Sequence, residues 1–239
     1  MRIVGPLVGL WLAVFALPLF LYTPDRPPER AGAATPVAAA VRAVLARLRH
    51  LPAERDLFRF LLAHLLYNTG LLTLFALGGV YAAGVFGMTL EEVMVFGIAL
   101  NVAAGLGAWA FGYLDDRIGS RKAILWALGG LNAAALLAVL APDRTVLWVA
   151  GLAIGLFVGP VQASSRALIA RMAPPDEAAG HFGLFALSGR ATTFLGPAAV
   201  AAATALSDSQ RGGMAAILPF LLGGMALLFT VREPARVRT

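Results

Sequence analysis

Apolar residues fall along this chain in blocks separated by short polar stretches, and the blocks recur over nearly the whole length. Each is about 20 residues long, which is what a helix rising 1.5 Å per residue needs to cross a hydrocarbon core about 30 Å thick. The pattern predicts an all-α polytopic membrane protein with seven spans, at 3–22, 57–83, 89–113, 122–141, 146–170, 181–206 and 213–231. After the first span, Pro24, Pro27, Pro28, Gly32 and Pro36 interrupt any regular structure. Val41, Val44, Leu45 and Leu48 then recur at helical spacing beside Arg42, Arg47 and Arg49. Residues 23–56 therefore read as a cytoplasmic linker with a short amphipathic helix on the membrane surface, or as a plainly solvated linker. The expected organisation is one transmembrane helix at 1–22, that linker, a six-helix unit at 57–231 and a cytoplasmic tail at 232–239.

Composition sharpens this picture. Hydrophobic residues make up 59% of the chain and charged residues 13%, against the 45–50% and 25% usual for soluble domains, so an ordinary soluble domain is excluded. The net charge of +6 would suit a nucleic-acid partner only if it were gathered on one face. Most of the cations instead lie in short segments beside the spans and report topology. Segments 23–56, 114–121, 171–180 and 232–239 hold most of the arginines, whereas the other side holds Arg2, Arg144 and Arg211. The excess of cations on cytoplasmic segments predicts an outside N-terminus and a cytoplasmic C-terminus. With no cysteine there is no disulfide and no thiolate metal site, and no cofactor is expected. His50, His64 and His181 are dispersed, and no zinc-protease, nucleophile-elbow or phosphate-loop pattern occurs, so nothing points to an enzyme.

Polar groups inside spans carry the candidate chemistry, because each must find a partner or a water-filled cavity. The chain's 13 acids fall in loops or near helix ends, so no mid-membrane carboxylate is available for proton coupling. Tyr67, Asn68 and Thr69 form a polar cluster within one span, with His64 a turn earlier, and Gln162 and Ser165 face from another. Arg190 sits nine residues into its span, about 13 Å at the helical rise. There it is a candidate cation for a solute carboxylate or phosphate, unless it snorkels to the membrane face or pairs with a backbone carbonyl. Gly151, Gly155 and Gly159 leave one smooth helix face, and Pro160 and Pro197 predict bends.

The turn Gly112-x-Leu114-x-Asp116-Arg117-x-Gly119-x-Arg121-Lys122 resembles the signature loop of the major facilitator superfamily. Three further strings resemble the bacterial facilitator permeases related to the yeast vacuolar amino-acid effluxer of autophagy. These are Tyr67-Asn68-x-Gly70-x-x-Thr73, Gly159-Pro160-x-Gln162-Ala163-x-Ser165-Arg166, and the run from Phe182 through Gly189, Arg190 and Thr192 to Gly196-Pro197. The family usually has Asp, Asn and Lys where Thr69, Leu72 and Arg190 stand here. What the resemblance implies is the sixth helix, the linker and the C-terminal six-helix half of a carrier that moves small polar solutes, amino acids among them, by alternating access. Tyr67, Asn68, Thr69, Gln162 and Arg190 become cavity candidates. Gly112, Asp116, Arg117, Gly119, Arg121 and Lys122 become the gating loop, with Asp116 and Arg166 as a pair that locks one conformation. The implied partners are the bilayer, the solute, and a separately encoded first half or a second copy; the alternative is a non-transporting membrane scaffold or remnant.

Overall fold

A computed structural model describes residues 4–23, 42, 46–47, 49–174 and 177–233, in two units divided after Arg47. The first unit holds α1 (Val4–Tyr22), an apolar helix with Pro18 inside it. Most of the linker, with its expected amphipathic helix, lies outside the described residues. The second unit runs α2 (Arg55–Phe86), α3 (Leu90–Ile118), α4 (Ser120–Leu140), α5 (Arg144–Met172), α6 (Ala178–Arg190), α7 (Leu195–Ser207), α8 (Gln210–Ala215) and α9 (Leu218–Leu228). Among the described residues α1 to α5 and the run α8–α9 are long and apolar enough to cross a membrane. The chain is thus an all-α polytopic membrane protein.

Two expectations need correction. The span at 181–206 is not one helix: α6 and α7, 13 residues each, are separated by turns at 191–194. Pro197 lacks the N–H that would bond the Thr193 carbonyl, and its ring crowds that carbonyl, which weakens the α-ladder over this turn. The chain tightens instead, with Leu195 N–H donating to the Thr192 carbonyl at 2.9 Å and Thr193 N–H to that of Arg190 at 3.4 Å. Pro160, by contrast, stays within a continuous α5. The loop expected at 114–121 is also far shorter. Helix α3 runs on to Ile118 and α4 begins at Ser120, leaving Gly119 alone between them at φ 94° and ψ 152°. A positive φ of that kind is open to glycine and strained for other residues.

Helix α5 packs against α3 and α4 at the centre of the unit. Its glycines explain the closeness. A methyl added at Gly155 or Gly159 would strike the carbonyl of Leu100 or Ala104, and one at Gly151 the Phe96 ring. The approach is reciprocal, because Gly107 of α3 lies against the carbonyl of Leu156. That carbonyl is the one Pro160 leaves without an intrahelical donor. On the other side, Gly224 of α9 meets the backbone of Tyr67 and Ala63 on α2. Packing of this kind needs no hydrophobic driving force and suits helices whose other faces meet lipid.

Candidate functional site

A cavity of about 410 Å³ opens between α2, α5 and α6. Each helix contributes one face at i, i+3, i+4 spacing: His64, Tyr67 and Asn68 from α2, Gln162, Ser165 and Arg166 from α5, and Phe182, Phe185, Ala186, Gly189 and Arg190 from α6. Leu72 and Val161 complete the lining.

Hydrogen bonds fix the inner part of this wall. Ser165 donates its proton to the Val161 carbonyl, so at the 2.7 Å contact Tyr67 Oη donates to Ser165 Oγ. Ser188 likewise donates to the Phe185 carbonyl at 2.9 Å, which makes His64 Nδ1 the donor in its 2.8 Å bond to Ser188 Oγ. Asn68 Nδ2 donates to the Gly189 carbonyl at 2.8 Å, tying α2 to α6 a second time. The His64 ring stacks on Phe185 with centroids 4.0 Å apart and meets Tyr67 edge-on at 5.4 Å. His64 and Tyr67 are buried behind the surface, whereas Gln162, Arg166 and Arg190 are exposed in it.

Four of the five expected cavity residues therefore come together: Tyr67, Asn68, Gln162 and Arg190. Thr69 does not join them. One residue along a helix is a turn of about 100°, and Thr69 accordingly faces the break after α6, where its hydroxyl donates to the Leu65 carbonyl at 2.7 Å and meets Thr192 Oγ1 at 2.8 Å. Arg190 lies at the last turn of α6 rather than in the middle of a continuous span. The carbonyl end of a helix is a favourable place for a cation.

The gating-loop residues separate as well. Gly112, Asp116, Arg117 and Lys122 are exposed around the α3–α4 turn, and Arg121 reaches from α4 to the end of α9, with Nε 3.2 Å from the Leu228 carbonyl and Nη2 2.6 Å from that of Phe229. Arg166 lines the cavity instead of meeting Asp116. The ion pair formed at this end uses the neighbouring acid: Asp115 is buried, accepts from Ser120 Oγ at 2.7 Å and pairs with Arg171 at 3.0 Å. Arg171 also pairs with Glu233 at 3.0 Å, and Glu233 accepts the backbone N–H groups of Ser120 and Arg121 at 2.9 and 3.1 Å. The signal that could have found Asp115 is its register. It continues the face of α3 that carries Phe96, Leu100, Ala104, Gly107 and Phe111 towards α5, whereas Asp116 is turned away with Trp109 and Tyr113.

Five arginines elsewhere in this unit are tied down: Arg59, Arg121, Arg144, Arg171 and Arg211 each bond a backbone carbonyl or a carboxylate. Among the described residues Arg166 and Arg190 have no hydrogen-bond or ion-pair partner, and no acid lines their cavity.

The described helices are those of a polytopic membrane protein, and three of them line a polar, cationic cavity. The chain belongs to the family described as vacuole effluxer Atg22 like, whose model matches residues 1–237. It is 27% identical to autophagy-related protein 22 of Cryptococcus neoformans var. neoformans serotype D (strain B-3501A), over 93% of this chain and 44% of that protein. It is 25% identical to autophagy-related protein 22 of Coccidioides immitis (strain RS), over 85% and 38%. With a Bacillus subtilis (strain 168) protein titled uncharacterized MFS-type transporter YxiO it shares 23% identity, over 75% and 42%. The chain spans less than half the length of these curated relatives. It is thus a multi-pass membrane protein of a transporter family.

Proposed function

We propose that the helices from α2 onward form one half of an alternating-access carrier for small polar solutes, amino acids among them. The facing wall comes from a second six-helix unit, and the chain performs no enzymatic step. The observation that carries this reading is the cavity wall, in which Arg166 and Arg190 stand without partners beside Asn68 and Gln162. Two guanidinium groups in hydrocarbon are costly unless water and an anionic group meet them. A solute carboxylate supplies the anion, and the guanidinium fork binds it through two hydrogen bonds. The Asp115–Arg171–Glu233 cluster ties α3, α4 and α5 to the end of α9 and steadies this half as a rigid body.

Uptake of labelled amino acids into vesicles tests the proposal. Saturable uptake is expected when the chain is reconstituted with a facing six-helix unit and not from the chain alone. Arg190→Ala should lower it about tenfold to a hundredfold, the range of one lost charge-assisted hydrogen bond, and Arg190→Lys should retain part. No uptake with any facing unit would favour the scaffold reading. For topology, the arginine distribution supports an outside N-terminus and a cytoplasmic C-terminus. Single cysteines at Ser209 and Ala235 should then label from opposite sides of the membrane, Ser209 from outside.

A further inference from the structure

A second cavity, about 1010 Å³, lies away from the solute site, between α3, α4, α5 and α9. Its walls are apolar, with Phe111 and Leu114 on one side, Met225 and Phe229 on the other, and Trp126 between them. Its mouth is cationic. Lys122 and Arg121 border it, and Trp126 and Gly129 follow Lys122 along one face of α4 at i+4 and i+7, so the trough runs about 10 Å along the helix from the Lys122 backbone at the helical rise. Gly129 keeps the floor open, since nothing lies within 4 Å of where its side chain would begin. Arg121 holds the far wall by bonding the last carbonyls of α9. Lys122 is the chain's one lysine; it is exposed and has no hydrogen-bond or ion-pair partner among the described residues.

We propose that this trough is a binding site for an anionic phospholipid, with one acyl chain along Trp126 and Gly129 and the phosphate at Lys122. The charge pattern favours a lipid over a protein partner. A groove with apolar walls and cations confined to its mouth matches a molecule with one anionic end and an apolar body, and basic pockets between membrane helices hold anionic headgroups in this way. The tail contributes little selectivity, because lipid chains and apolar side chains are alike as solvents. Preference must come from the headgroup, and one cation near the surface gives about a fivefold preference for an anionic lipid.

The test uses the full chain in phosphatidylcholine nanodiscs, with Trp11, Trp109 and Trp148 changed to Phe so that Trp126 alone reports. Phosphatidylglycerol brominated on its chains should quench Trp126 at about fivefold lower mole fraction than brominated phosphatidylcholine, and added salt should shrink the difference. Lys122→Gln should abolish the preference and Lys122→Arg should keep it, a contrast that a general folding defect would not produce. Phosphatidylglycerol should also slow acylation of the Lys122 amine, read by mass spectrometry, while glycerol phosphate without chains should not. Equal quenching by both lipids with no effect of Lys122→Gln would overturn the proposal and leave ordinary boundary lipid. Protection by glycerol phosphate alone would overturn it in favour of a free phosphate site. Absence of quenching together with crosslinked dimers would overturn it in favour of a second copy covering the trough.

Discussion

Two neighbouring turns at the C-terminal end of α5 treat the same residue type in opposite ways. At its last turn, Arg171 meets two carboxylates, and the cluster they form closes on backbone N–H groups of α4. Five residues earlier, Arg166 lies in a cavity with Arg190 and no acid. A charge that is matched inside the fold stabilises it and is unavailable to a ligand; an unmatched one contributes little to the fold and stays open to an anion. One helix thus carries a fastened and an unmatched arginine, and register separates them.

Breaking the matched end should have the largest effect. Asp115→Ala leaves Arg171 with Glu233 only and removes the acceptor of Ser120 Oγ. Losing one partner of a buried pair costs about 3–5 kcal/mol, and the 30% exposure of the Arg171 side chain brings the expected loss to about 2–3 kcal/mol. Unfolding in detergent with a chemical denaturant measures it. A loss no larger than that of an exposed control such as Arg117→Ala would mean that the cluster does not fasten this end.

A smaller effect sharpens the comparison inside the cavity, where the buried layer is hydrogen-bonded and the surface layer is not. Tyr67→Phe and Ser165→Ala each remove one side of the 2.7 Å contact between α2 and α5. A double-mutant cycle on stability should return a coupling of about 0.6 kcal/mol, the mean for hydrogen bonds between membrane helices. Additive losses would show that the two hydroxyls are independent.

Much of this was legible before any coordinates. Hydropathy marked the spans because a bilayer demands long apolar runs, and polar residues inside those runs marked Tyr67, Asn68, Gln162 and Arg190. The glycine ladder on α5 was readable as a packing face, which is what it is. What escaped depends on rotation and on neighbours. Thr69 stands next to Asn68 in the sequence but about 100° away on the helix. The acid in the familiar loop motif is Asp116, yet the α5-facing register belongs to Asp115. The break at 191–194 was read as a bend because Pro160 and Pro197 look alike in the sequence. They differ in what surrounds them: the carbonyl below Pro160 packs on Gly107, whereas Pro197 follows Thr192, whose hydroxyl meets Thr69.

The smallest expected effect on stability belongs to the unmatched arginines. Arg166→Gln and Arg190→Gln remove charges that bond nothing within the described fold, and both side chains are exposed in the cavity wall. Substitutions at such positions usually change stability by no more than about 0.5 kcal/mol. Each variant should therefore unfold at nearly the parent denaturant concentration, and the double variant should equal or slightly exceed the parent, because one of two like charges in a shared cavity repels the other. The same denaturant titration used for Asp115→Ala provides the measurement. A loss comparable to that of Asp115→Ala from either glutamine variant would show that the cation has a partner within the fold, and the contrast between Arg171 and Arg166 on α5 would fail.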